Sequence, residues 1–305
     1  MVKLFLTMQF LLAPPLTAFC GFQDYKDAGD AQFKFAQVRI PVWVNKPNGN
    51  PVYNLKKKHF RVYVDGHETD FSYFSKAFDQ KVDILFLIDF SGSMALGGKL
   101  EATKMVVKYL IHSMKKGDQW QIVVFADKQV LKILDDSSSE SLNEVLDKAR
   151  AYGKTALYDA LLKAPNYFEK REIANKAVFL FTDGHDNNSM FSLEETRLLM
   201  RKLSVPLFAV GIMDGFLPAE KQSEEQLDVG TLKSLSTAGG GELFLAKNKN
   251  DLLDIGVMLK KKLRAHYVLG FVVERGKGDK RHIIKVSTKK KLHIKHRNSY
   301  IGLPP

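Results

Sequence analysis

The stretch Val82-Asp-Ile-Leu-Phe-Leu-Ile-Asp89-Phe90-Ser91-Gly92-Ser93-Met94 decides how the rest of this 305-residue chain is read. Its first eight residues form a near-continuous apolar run, the pattern of a strand covered on both faces. A short polar loop follows, and then Leu100 to Met114 places Ala102, Met105, Val106, Tyr109 and Leu110 at helical spacing, with Gly117-Asp118 as a stop. The alternation continues downstream. Trp120 to Phe125 reads as a strand, Val130 to Leu134 as a short strand that hairpins onto it, and Ser141 to Tyr152 as an amphipathic helix. A further helix after Thr155, a strand from Ala177 to Thr182, a helix from Ser192 to Leu203 and a strand from Val205 to Ile212 come next. A short helix from Leu232 to Thr237, a strand from Glu242 to Ala246 and a helix from Asp251 to Leu263 close the series. Strands alternating with helices predict an α/β fold with a doubly wound, mostly parallel sheet over residues 81–264.

Outside that span the period changes to two. Val38, Ile40, Val42 and Val44 alternate with other residues, as do Phe60, Val62 and Val64, and Asp65-Gly66 is a hairpin signal. Tyr267 to Val273, His282 to Ser287 and Leu292 to His296 repeat the pattern at the other end. Neither flank alone is long enough for a robust core. Residues 33–80 and 265–302 are therefore expected to pair as two halves of one β-sandwich.

Composition sets limits on function. Hydrophobic residues are 45% and charged residues 26%, so wholesale disorder is excluded. The one cysteine, Cys20, can form no internal disulfide, and no CxxC or Cys/His cluster exists to hold structural zinc. Residues 1–20 read as a secretory signal: Lys3, an apolar run from Leu4 to Leu12, Pro14-Pro15, then small residues up to Cys20. An exported protein, periplasmic or extracellular, is the expectation. The formal charge of +12 is concentrated beyond Val257, where Lys and Arg alternate with apolar residues as on a solvated strand face. No aromatics interleave with Lys289 to Lys291, so nucleic acid is not the expected partner.

The chemistry collects at strand ends. Ligands of a doubly wound sheet bind at the carboxyl ends of its strands. Asp89, Ser91 and Ser93 fall on one such loop, Thr182-Asp183-Gly184 ends a second apolar strand, and Gly153-Lys154-Thr155 offers a hydroxyl before a helix. Hard cations prefer oxygen, and Mg²⁺ commonly takes only one or two carboxylates. Two carboxylates and three neutral hydroxyls would leave a divalent cation electron-poor and open to an anionic oxygen from elsewhere. Lys154 beside Thr155 does not make a phosphate loop, because no GxxxxGK[ST] string exists.

Asp89-x-Ser91-x-Ser93, Thr155 and Thr182-Asp183-Gly184, in this order on this element pattern, resemble the metal-ion-dependent adhesion site of the von Willebrand factor type A family. The flanks, through Phe60-Arg-Val-Tyr-Val-Asp-Gly66, Tyr267-Val-Leu-Gly-Phe271 and Arg297-Asn-Ser-Tyr300, resemble bacterial exported proteins of that family, abundant in acidobacteria. His59 and Ser299 depart from the flank pattern, where Asp and Gly are usual. The resemblance implies a strand order 3-2-1-4-5-6 and a divalent cation, Mg²⁺ foremost with Mn²⁺ or Ca²⁺ as alternatives. It implies Asp89, Ser91, Ser93 and Thr155 as ligands, with Asp183 binding directly or through water. The expected function is a non-enzymatic protein-binding or adhesion module whose cation takes a Glu or Asp carboxylate of a partner protein. Phe216 and Leu217, after the fifth strand of the sheet, are candidate apolar contacts beside that carboxylate. Two other readings stay open: a metal-assisted hydrolase using His185 or Asp186, and an envelope scaffold whose cation is purely structural.

Overall fold

The computed structural model describes residues 35–302 except 79, 170, 185, 203–204, 214–215, 217–226 and 275–279. The expected signal, with Cys20, lies outside the described residues, as do His185 and Leu217.

Four strands come first. β1 (Phe35–Asn45) buries Val38, Ile40, Val42 and Val44 in alternation, and β2 (Phe60–Val64) and β3 (His67–Thr69) form a hairpin. Asp65 and Gly66 both take left-handed φ at the turn, 51° and 86°, as a tight two-residue connection requires. β4 (Tyr73–Lys76) then leads into β5 (Val82–Asp89). The α/β part continues through α1 (Lys99–His112), β6 (Gln119–Ala126), β7 (Gln129–Asp135), α2 (Leu142–Lys148), α3 (Leu157–Lys163), β8 (Asn175–Thr182) and α4 (Leu193–Lys202). It ends with β9 (Leu207–Ile212), α5 (Val229–Ala238), β10 (Glu242–Ala246) and α6 (Lys249–Lys262). β11 (His266–Glu274), β12 (Arg281–Thr288), β13 (His293–His296) and β14 (Ser299–Ile301) complete the described chain.

The central sheet has the order β10-β9-β8-β5-β6-β7, parallel except for β7, which folds back antiparallel on β6. Counted within the unit this is 6-5-4-1-2-3. β5 lies in the middle and is buried along its whole length. Its side chains alternate between two cores, as strand geometry demands. Ile84, Phe86 and Ile88 join Val106, Leu110, Leu252 and Leu259 on the α1/α6 side, while Leu85 and Leu87 join Leu161, Leu199 and Leu235 on the other.

The flanks supply two four-stranded sheets, β13-β1-β11-β4 and β14-β12-β2-β3. Each mixes strands from both ends of the chain. Both sheets contribute to one core that includes Ile40, Phe60, Val62, Tyr267, Phe271, Ile284 and Val286. This unit abuts the amino ends of the parallel strands. There Trp43 meets Phe208 edge-on at 5.5 Å between ring centroids and donates its indole N–H to the Lys262 carbonyl at 3.0 Å. The carboxyl ends, with Asp89 and Thr182, are at the opposite edge.

One helix is shorter than its periodicity predicts. The sequence suggests a helix to Tyr152, but α2 stops at Lys148 and Ala149 is extended. Two contacts draw the chain away from the helix axis. Lys104 Nζ donates to the Ala149 carbonyl at 2.9 Å, and Tyr152 N–H donates to the Phe90 carbonyl at 2.7 Å.

Candidate metal centre

The loop after β5 cannot continue as strand, because Asp89 bends it back on itself: the Ser91 N–H donates to Asp89 Oδ1 at 2.8 Å. Asp89 Oδ2 accepts from the Thr182 hydroxyl, at the end of the adjacent β8, at 2.6 Å. Asp89 and Thr182 are fully buried, so these bonds fix the carboxylate and lock the two strand ends together. Ser91 and Ser93 hydroxyls stand 3.1 Å apart, and Ser93 Oγ donates to Asp183 Oδ1 at 2.8 Å. Ser91 occupies the cap position of the short helical turn that follows, yet its side chain makes no capping bond. Its hydroxyl faces the cluster.

Thr155 arrives from the third loop. The Gly92 N–H donates to the Gly153 carbonyl at 2.9 Å, and the Thr155 N–H donates to Asn187 Oδ1 at 3.0 Å, which stitches this loop to those after β5 and β8. A side chain on Gly184 would put its Cβ 3.1 Å from Thr155 Oγ1, so the glycine after Asp183 leaves that hydroxyl room. All five residues expected from the sequence thus lie on three loops at one pole. Asp89, Ser91, Thr155 and Asp183 are buried, and Ser93 is exposed.

Burial pushes the Asp89 carboxyl up to about 7, against the pull of the Thr182 hydroxyl and the Ser91 N–H, with the neighbouring Asp183 adding to the rise. Such a group is short of nearby positive charge. Among the described residues, the cation in the cluster is one whose role the sequence did not disclose. Lys99, at the first turn of α1 and 2% exposed, reaches Asp183 Oδ2 at 2.7 Å. It reads in sequence as an ordinary surface lysine, and only the spacing from Asp89, one loop away, hints otherwise.

Other expected residues fall differently. Phe216 is half-buried and packs against the α1/α6 core. Leu96, Tyr152, Met190 and Phe191 are exposed apolar side chains at the same pole. Asp186 is occupied with holding its loop: it accepts from the Tyr158 N–H at 3.0 Å and the Ser189 N–H at 3.1 Å. Among the described residues no group of three or more His, Cys, Asp or Glu is placed to hold a metal. Any ion here depends on hydroxyls.

Comparison with known proteins agrees with the fold of the central unit. The family description "von Willebrand factor type A domain" matches residues 83–256. Thrombospondin-related anonymous protein of Plasmodium falciparum is 26% identical over 157 residues, 47% of this chain and 28% of that protein. A von Willebrand factor A domain-containing protein of Dictyostelium discoideum is 26% identical over 159 residues, 50% of this chain and 16% of the relative. The chain thus spans less than a third of the length of these curated relatives. A von Willebrand factor type A structure from Catenulispora acidiphila shares the fold over 89% of this chain and 74% of its own, at 15% identity and a TM-score of 0.50. Proximal thread matrix protein 1 from the mussel byssus, in a form with a zinc-occupied MIDAS motif, covers 67% of this chain and 50% of its own, with 23% identity and a TM-score of 0.50. With the matched family pattern running across the whole six-stranded unit, this chain belongs to the von Willebrand factor type A domain family.

Proposed function

We propose that this protein is an exported, non-enzymatic binding module that captures an acidic side chain of a protein partner through a divalent cation. The observation that carries the reading is the three-loop cluster, where Ser91 Oγ, Ser93 Oγ and Asp183 Oδ1 follow one another at 3.1 and 2.8 Å. Adjacent oxygens around octahedral Mg²⁺ lie about 2.9 Å apart, given metal–oxygen distances of about 2.0–2.1 Å. Mg²⁺, which keeps several waters and takes only one or two carboxylates, remains the foremost candidate, with Mn²⁺ or Ca²⁺ as alternatives. Asp89, Ser91, Ser93 and Thr155 would be ligands, with Asp183 binding directly or through water. A bound cation would supply one open coordination position for a Glu or Asp oxygen. The chain's own part is to hold the hydroxyls, keep Asp89 fixed through Thr182, and leave Ser93 at the solvent side. Phe216 and Leu217, with Leu96, Met190 and Phe191, would offer apolar contact around that carboxylate. The flank motifs support assignment to the exported acidobacterial kind.

Calorimetric titration with MnCl₂ tests the site, with Ser93→Ala as the variant least able to disturb the fold and Asp89→Ala as the severe one. Binding should weaken at least about ten-fold in the first, by loss of one ligand, and vanish in the second. Capture of a partner from envelope extract should disappear with EDTA and return with Mg²⁺. A cation that raises the melting temperature while capture ignores EDTA would point to the scaffold reading instead.

A further inference from the structure

Two runs of three lysines, Lys56–Lys58 and Lys289–Lys291, are more than 200 residues apart in sequence and share one end of the β2/β12 ladder. Phe60 pairs with Thr288 in that ladder, and the Lys289 N–H donates to the His59 carbonyl at 3.4 Å. Each run is held in place locally. The Lys56 N–H donates to His59 Nδ1 at 2.8 Å, and the Thr288 hydroxyl donates to the Lys290 carbonyl at 3.0 Å. All six side chains are exposed, and none forms an ion pair among the described residues.

Their surroundings carry no compensating charge from the same segments: residues 31–64 and 280–305 contain no Asp or Glu. The charge excess noted in the sequence is thus partly a place in the fold, made only when both ends of the chain come together. Lys57 Nζ lies over the Phe71 ring at 5.3 Å from its centroid. Lysine ammonium groups act as point charges, without the planar fork with which Arg fixes individual phosphates, and no aromatic residue lies within either run to stack on a base. That combination fits a broad, laterally mobile sheet of phosphates better than an ordered nucleic-acid backbone. Clusters of four to eight Lys or Arg serve this purpose elsewhere.

We propose that the two lysine runs together form a docking site for the phosphate-bearing face of an anionic phospholipid bilayer. The site is independent of the metal centre, which lies at the edge of the central sheet farthest from the flanking unit. A docked protein would keep that centre available to a partner.

Sedimentation of the full chain with vesicles of phosphatidylcholine containing about one third phosphatidylglycerol tests this. Binding should exceed that to pure phosphatidylcholine and fall steeply with salt. Each lysine near such a surface is worth about five-fold, so Lys→Gln at all three positions of either run should cost on the order of 100-fold. A control with Lys116→Gln, Lys148→Gln and Lys163→Gln, exposed lysines elsewhere, changes the net charge equally and should lose far less. Equal loss in the control would overturn the proposal, as would equal binding to neutral vesicles. So would a DNA duplex that binds the full chain more tightly than the vesicles do, with the same dependence on the two runs. EDTA should leave vesicle binding unchanged, which keeps this result separate from any failure of the metal reading.

Discussion

Lys99 sets the resting charge of the proposed metal pole. Two buried carboxylates meet one buried ammonium there, and Asp183 divides its oxygens between Ser93 and that ammonium. Removing one member of a buried pair leaves the other uncompensated, at a typical cost of about 3–5 kcal/mol. Lys99→Met should therefore lower the melting temperature of metal-free protein while enlarging the rise produced by MgCl₂, because a divalent ion then meets two unneutralised carboxylates. Thermal denaturation with and without Mg²⁺ reads both effects, and an unchanged Mg²⁺ increment would refute the role. Asp89, Ser91, Ser93 and Asp183 were legible in sequence because they sit at the ends of apolar strands, where position alone implies a site. Lys99 was not, since helical periodicity treats a first-turn lysine as solvent-facing.

Elements bring these residues together through loops. Gly153 has φ of 67°, and a Cβ there would fall 2.1 Å from Asp127 Oδ2. Asp127 in turn accepts from the Lys154 N–H at 2.7 Å and is itself left-handed, at the tip of the β6–β7 hairpin. Hairpin tip and Thr155 loop thus brace each other. Gly153→Ala should cost roughly 1–3 kcal/mol of stability and weaken cation binding by displacing Thr155. Calorimetry beside urea denaturation would separate the two, and full cation affinity would show that Thr155 does not depend on this brace. The long strands and most helices of the central unit were readable from periodicity. β4 and β14, at four and three residues, were not, because edge strands this short carry too few side chains to show a period and exist through pairing with remote partners.

At the scale of the whole molecule, the junction between the units contains a buried histidine. His266 packs against Trp43 at 4.9 Å between centroids with the rings tilted by 35°, and its Nδ1 has no hydrogen-bond partner among the described residues. Burial pushes its pKa down to about 4, with the Lys262 carbonyl pulling weakly the other way. An unfolded histidine takes its proton near 6.5, so below that pH the unfolded chain binds the proton first and stability falls until about pH 4. The loss amounts to about 3 kcal/mol. Asp83 and Asp89, raised by burial to about 6 and about 7, slope the other way, so the difference between wild type and His266→Gln is the quantity to follow. Urea denaturation at intervals from pH 7 to pH 4 should show the wild type losing ground to the variant, and parallel curves would refute it.

The flanking unit leaves off and resumes at neighbouring points: the Ala77 N–H donates to the His266 carbonyl at 3.0 Å, although the whole central unit separates them in sequence. The central unit is in effect a guest inserted into its host. Once the guest has folded, its two ends are clasped side by side, and the entropy of closing so long a loop has already been spent. β11 then meets β1 at a high effective concentration, which gives an otherwise slow, non-local strand pairing a short search. The guest's folding should come first and serve as the host's template.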